Sequence, residues 1–111
     1  MIDCIFCKII SKELPAQSIA ENKDIIVVKD IAPKATIHYL IIPKSHIKDF
    51  SSLKETDHSL WVKMAEMAHY IASQDPQAQE FRLIVNNGYN AGQRVFHLHM
   101  HFLAGKLLPE F

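Results

Sequence analysis

Glycine is scarce in this chain, three residues in 111. There is no internal repeat, no low-complexity tract and no linker-like stretch, so residues 1–111 read as a single domain with one core. Net charge is absent as well, with twelve basic residues balancing twelve acidic ones. A nucleic-acid backbone is held largely by cations that displace its counterions. A balanced chain is therefore expected to bind no nucleic acid, although a small anion needs only a few local donors. No apolar run approaches the roughly 20 residues that span a bilayer, and no membrane association is expected. The segment Met1-Ile2-Asp3-Cys4 lacks the basic-then-apolar layout of a signal peptide, and the expected location is cytoplasmic. In a reducing compartment the two cysteines, Cys4 and Cys7, are not expected to form a structural disulfide. Their C-x-x-C spacing reads as a metal half-site or a redox pair.

Apolar residues are plentiful, 49% of the chain, which is enough to build a core and argues against disorder. Ile5, Phe6, Ile9 and Ile10 recur at helical spacing, with Asp3 placed to cap the helix and Pro15 unable to continue it. Ile25-Ile26-Val27-Val28 reads as a buried strand, Asp30-Ile31-Ala32-Pro33 as a turn, and 37–42 as the next strand. Ser52 and Glu55 have the spacing of a capping box, followed by Leu60, Trp61, Met64, Ala68 and Ile71 at helical intervals to about Ser73. Residues 81–85 read as a strand, 86–92 as a loop, and 96–103 as the last strand. Helix, strands, helix, strands without regular alternation predicts an α+β domain with a mostly antiparallel sheet.

The last strand carries the chemistry. Period-two alternation puts His97, His99 and His101 on one face, about 7 Å apart, and Phe96, Leu98, Met100 and Phe102 on the other. Imidazole is a metal ligand, a general acid or base near neutral pH, and a nucleophile. Three successive imidazoles on one strand do not converge on one ion with bonds of about 2.0–2.1 Å, which favours catalysis with at most an end residue as a ligand. Before the strand, Gly92 permits close backbone approach, and Asn86 and Gln93 offer amide donors suited to a phosphate. Of the other four histidines, His58 and His69 read as surface or packing residues of the long helix region.

His97-Leu98-His99-Met100-His101-Phe102-Leu103 resembles the alternating histidine signature of the histidine-triad superfamily. Phe6 to Ile10, Asp30 to Pro33, His38 to Lys44 with His46, and Val85-Asn86 through Gly92-Gln93 resemble its nucleotide-binding branch in order and spacing. The resemblance implies a five-stranded antiparallel sheet with two helices, joined sheet to sheet in a homodimer. It implies purine nucleotide binding and hydrolysis of the P–N bond of nucleoside phosphoramidates, with no organic cofactor. His99 would attack the α-phosphorus and carry a nucleotidyl group. His101 would bind a phosphate oxygen and assist the leaving group, and His38 would help to fix the nucleophile. Asn86 and Gln93 would position the phosphate, Asp30 would accept from the ribose hydroxyls, and Phe6, Ile9 and Ile31 would line the base pocket. Three residues depart from the pattern: Arg94, where close relatives often carry Ser or Glu, and Ala91 and Ala104, where glycine is common.

Cys4 and Cys7 share one face of a helical turn and make half of a tetrahedral zinc site. The resemblance implies that His46 and His97 complete it, as a structural zinc centre. Relatives without the cysteines fold without metal, and two ordinary half-buried thiols are the competing reading. The flanking pattern is not thioredoxin-like, which weighs against a redox pair. Two other functions compete with phosphoramidate hydrolysis: dinucleoside polyphosphate hydrolysis, and a nucleotide-binding scaffold whose catalysis is incidental.

Overall fold

The computed structural model describes residues 3–110; Met1 and Ile2, on which part of the leader-peptide expectation falls, lie outside it. The elements in chain order are α1 (Ile5–Ile10), β1 (Ser18–Glu21), β2 (Ile25–Lys29), β3 (Ile37–Pro43), α2 (His58–Gln74), β4 (Phe81–Ile84) and β5 (Met100–Ala104), with two 3₁₀ turns between β3 and α2 and one in each of the α2–β4 and β4–β5 connections. The strands form one antiparallel sheet in the order β1-β2-β3-β5-β4. The expected α+β class, five-stranded antiparallel sheet and two helices are what the chain adopts.

Both faces of the sheet centre are covered, and this explains why Ile25 to Val28 are all buried instead of alternating. Ile25 and Val27 join Ile37, Ile41, Met100, Phe102 and Ala104 in a core against Met64, Met67, Ala68 and Ile71 of α2. Ile26 and Val28 join Leu40 and Ile42 in a second cluster with Cys4 and Phe6 at α1. Phe102, fully buried, lies between the rings of Tyr39 and Phe81, nearly parallel to each at 18° and 17°.

Several local expectations are corrected. The cap of α1 is Cys4, whose Sγ accepts from Cys7 N–H at 3.4 Å, while Asp3 pairs instead with Lys8. Strand β1 carried too little apolar alternation to be read from the sequence. Ser52 does not cap α2: it closes a 3₁₀ turn capped by Asp49, and the chain leaves that turn extended at Leu53. A second turn follows, in which Asp57 accepts from Lys54 N–H at 2.9 Å, and α2 begins only at His58. The final strand starts at Met100, not at 96. Phe96 is 40% exposed, off the apolar face on which alternation had placed it. Residues 97–99 run instead beside the chain after β3, where Leu98 N–H donates to Ile47 O at 2.6 Å and draws the Leu98 side chain into the α2 core.

This difference has a measurable consequence. Phe102→Ala is expected to destabilise the fold by roughly 3–5 kcal/mol, since it empties a fully enclosed site. Phe96→Ala should change stability by no more than about 0.5 kcal/mol, as an exposed side chain does. Urea unfolding checks both, and equal losses would contradict the shortened strand.

Candidate active site

The histidine-bearing face is the side of the sheet toward α1. His38 pairs with Leu103 and Leu40 with His101 in the β3–β5 ladder, so His38 and His101 are diagonal neighbours on this face. Their rings meet, His38 Nε2 to His101 Nδ1 at 2.8 Å. His99, one residue before β5, stacks edge-on against Phe6 of α1 at 5.0 Å and against His101 at 5.1 Å.

Hydrogen bonding fixes where each proton sits. His99 Nδ1 lies 2.7 Å from the carbonyl oxygen of His97. A carbonyl only accepts, so Nδ1 carries the hydrogen and Nε2 keeps its lone pair. His38 Nδ1 accepts from Lys34 N–H at 3.0 Å, which puts the His38 hydrogen on Nε2. That hydrogen is donated to His101 Nδ1, with the Asp30 carboxylate also near at 3.5 Å. His101 therefore carries its own hydrogen on Nε2. Two adjacent imidazoles are thus held in opposite states, one with a nucleophilic nitrogen and one with a donor.

Burial keeps these rings neutral. It pushes His101 down to about 4, with His99 and His38 beside it adding to the effect. It also lowers His99, partly opposed by the hydrogen bond to His97 and by Asp30, and lowers His38 against the pull of Asp30.

An open cleft of about 650 Å³ lies over this pair, a size suited to a small ligand. It gathers Phe6, Ile9, Asp30, Ile31, His38, Asn86, Gly92, His99 and His101 from the sequence-predicted set. Ile31 is 97% exposed at its edge, so it is no core residue. Asp30 lies in the cleft and also starts its turn, accepting from Ala32 N–H at 2.7 Å. Gly92 has φ +109°, a region that side chains disfavour, and it passes directly beside the Asn86 amide. Two predicted residues stand outside the lining. Gln93 is only 1% exposed. Its Oε1 accepts from Gly88 N–H at 2.8 Å, and its Nε2 donates to Lys48 O at 2.9 Å and Val95 O at 3.0 Å. Both its amide hydrogens are committed to bracing the loop. His97 is fully buried and donates from Nε2 to Pro43 O at 2.8 Å.

Sequence reading missed Leu14-Pro15-Ala16 and Lys34, which also line the cleft, and singled out Arg94, another lining residue, only as a departure from the family pattern. The first three belong to an unpatterned connection between α1 and β1. Lys34 had a usable signal, since it follows the Asp30–Pro33 turn into the strand that carries His38.

The second cluster is Cys4, Cys7, His46 and His97, whose ligand atoms all lie within 4.8 Å of one another. Because His97 uses Nε2–H for Pro43, its Nδ1 lone pair is left to the cluster. That atom stands 3.5 Å from Cys4 Sγ, 3.6 Å from Cys7 Sγ and 3.1 Å from His46 Nδ1, and Cys7 Sγ stands 3.3 Å from His46 Nδ1. Tetrahedral bonds of about 2.0–2.3 Å place neighbouring ligand atoms roughly 3.3–3.8 Å apart. The donor set and its spacing fit a four-coordinate zinc ion.

An α+β sheet bearing a lone-pair imidazole beside a donor imidazole, under an open cleft, is an arrangement suited to histidine-based chemistry. Comparison with known proteins agrees. Residues 3–111 match the family described as the scavenger mRNA decapping enzyme C-terminal binding domain. An uncharacterised HIT-like protein of Synechocystis sp. is 39% identical over 94% of this chain and 91% of its own length. A HIT family hydrolase from Clostridium thermocellum superposes with a TM-score of 0.93 at 40% identity, covering 99% of this chain and 97% of that one. A zinc-bound histidine-triad protein from Mycobacterium smegmatis superposes with a TM-score of 0.83 at 30% identity, covering 94% of this chain and 76% of that one. The chain belongs to the histidine-triad superfamily, a group of nucleotide-binding hydrolases.

Buried neutral imidazoles link stability to pH. Below the ordinary histidine value of 6.5 the unfolded chain binds protons that His101 refuses until about pH 4. In that window the unfolded state holds more protons, so stability is intact above it and falls as pH drops through it. Thermal unfolding should show this decline, and His101→Gln should make it shallower. An identical pH profile in the variant would contradict a buried neutral His101.

Proposed function

We propose that this protein hydrolyses nucleoside phosphoramidates at the α-phosphorus through a nucleotidyl-histidine intermediate on His99. The observation that carries this reading is the hydrogen bond from His99 Nδ1 to the His97 carbonyl, which leaves Nε2 as a fixed, unprotonated nucleophile. The purine lies against Phe6, Ile9 and Ile31, and Asp30 accepts from the ribose hydroxyls. His99 Nε2 gives its lone pair to phosphorus. The P–N bond breaks, and its electron pair leaves with the amine, which takes a proton from solvent. His101 donates Nε2–H to a phosphoryl oxygen and so eases departure, while His38 holds His101 in the donor tautomer. Asn86, whose side chain makes none of the described hydrogen bonds, positions the phosphate over Gly92; Gln93 keeps that loop in place. Water then attacks phosphorus and gives up a proton to solvent, the bond to His99 breaks with its pair returning to Nε2, and the nucleotide leaves. His97 takes part through its carbonyl.

The match to a decapping-enzyme family supports a second reading, in which the same nucleophile opens the phosphoanhydride of a dinucleoside polyphosphate. Initial rates on adenosine 5′-phosphoramidate and on diadenosine polyphosphates separate the two. His99→Ala should lower turnover by at least about a thousandfold on whichever substrate is used, with the fold retained. A loss of less than about tenfold would sink the nucleophile.

Cys4, Cys7, His46 and His97 hold a structural zinc in this reading. It leaves no open position for substrate and ties α1 to the segment that ends in His99. The zinc-bound relative and the ligand spacing support it. Protein purified without chelator should carry about one ion per chain. Cys4→Ser should lose the ion and melt earlier, because metal bound only to the folded form adds to its stability. Its turnover should fall less than that of His99→Ala. A metal-free protein with unchanged melting in Cys4→Ser would return both thiols to ordinary packing. The exposed Phe81 and Leu83 on the edge strand β4 support a homodimer joined through that edge.

A further inference from the structure

With the nucleoside against α1 and the phosphate at His99 and His101, one group of cleft residues has no assigned work: the end of the 86–95 loop, including Arg94. Its guanidinium is fixed. Nη1 donates to Tyr89 O at 2.7 Å and to Gln93 O at 3.1 Å, and Cζ stands 4.1 Å from the Tyr89 ring centroid. Nε and Nη2 donate to none of the described residues. These two nitrogens form the side-on edge of the guanidinium, the edge that takes a carboxylate or phosphate through two parallel hydrogen bonds. Arg94 is in none of the described ion pairs. It borders the nucleotide cleft and also a second hollow of about 570 Å³, shared with Lys8 and His46. Charge around the two is one-sided: among the described residues Asp30 is the only acidic one lining the cleft, against Lys29, Lys34 and Arg94. In the second hollow the acidic Asp3 is already paired with Lys8 at 3.1 Å.

We infer that Arg94 is a specificity residue for the leaving group, and that the preferred substrates are phosphoramidates whose departing amine carries an anion, a carboxylate or a phosphate. The inference rests on the phosphoramidase reading. The pre-set guanidinium receives the anion at its Nε–Nη2 edge while the amine stays bonded to phosphorus. The second hollow gives the remainder of the leaving group room outside the nucleotide cleft. A neutral leaving group finds no partner for that edge and leaves it to water. The contact to Tyr89 makes the arrangement specific to arginine, since a lysine at this position presents no two-pronged edge.

The test uses adenosine 5′-phosphoramidates paired by charge: the glycine conjugate against the glycinamide conjugate for carboxylate, and the O-phosphoethanolamine conjugate against the ethanolamine conjugate for phosphate. The wild-type protein should favour the anionic member of at least one pair by about tenfold in kcat/KM, as a charge-assisted hydrogen-bond pair allows. The pair showing the preference names the source. Arg94→Gln should reduce the ratio to about twofold or less, and Arg94→Lys should keep less than half of it. Calorimetric affinities of the His99→Ala protein for the same four conjugates supply the ratio without turnover. If the wild-type protein cleaves none of them, the phosphoramidase reading fails, and the affinity ratio alone decides the anion preference. A ratio near one in both pairs, or a preference that survives Arg94→Gln, overturns the role of Arg94.

Discussion

The carbonyl of His97 is the acceptor on which the arrangement of the histidines depends. It takes the Nδ1 hydrogen of His99, so the ring nitrogen that keeps its lone pair is defined by a backbone group and not by a mobile acid. The carbonyl is held in place because the His97 ring is anchored at both nitrogens, Nε2–H on Pro43 O and Nδ1 among Cys4, Cys7 and His46. One fully buried side chain thus connects the end of β3, the thiol cluster at α1 and His99. A zinc ion in the cluster would reach His99 mechanically, through His97 and through the packing of Phe6 on its ring.

The sheet supplies the second half of the site by simple alternation. Residues 37, 39 and 41 of β3 and 100, 102 and 104 of β5 turn toward α2, and the intervening His38 and His101 turn toward the cleft. The α2 core backs these strands, so the histidine pair sits on the packed central strands of the sheet. The rim of the cleft, by contrast, is made of turns: 30–34, the connection after α1, and the 86–95 loop braced by Gln93.

Elements whose periodicity was strong were legible in the sequence: α1, β2, β3, the apolar stripe of α2, and the face of β5 from Met100 onward. Failures came where a local rule was satisfied by the wrong partner. Ser52 and Glu55 have capping-box spacing, yet Asp49 and Asp57 do the capping because Leu53 breaks the run. His97 fits a period of two with His99 and His101, yet the chain before Met100 is irregular, and His97 belongs to the thiol cluster instead. Gln93 looked like a phosphate donor because residue type shows how many hydrogens an amide has, not where they go. Arg94 stood out only as a departure from a resemblance; its restraint by Tyr89 needed the folded loop. No local pattern reveals a tautomer, and the two that matter here come from a carbonyl and a backbone N–H that only tertiary structure brings near.

The strand order also sets a sequence of events in time. β1, β2 and β3 are consecutive and pair by short hairpins, so they can form from local contacts, whereas β5 must cross α2 and slot between β3 and β4. The contact between His38 and His101 closes a separation of 63 residues, and that between Cys4 and His97 one of 93. Long separations close late, because the entropy of the intervening loop must first be overcome. As synthesis runs N-terminus first, Cys4 and Cys7 are made 93 and 90 residues before His97, their buried imidazole neighbour. The thiol–imidazole cluster and the His38–His101 pair both wait on long-range closure, so a partly folded molecule has neither.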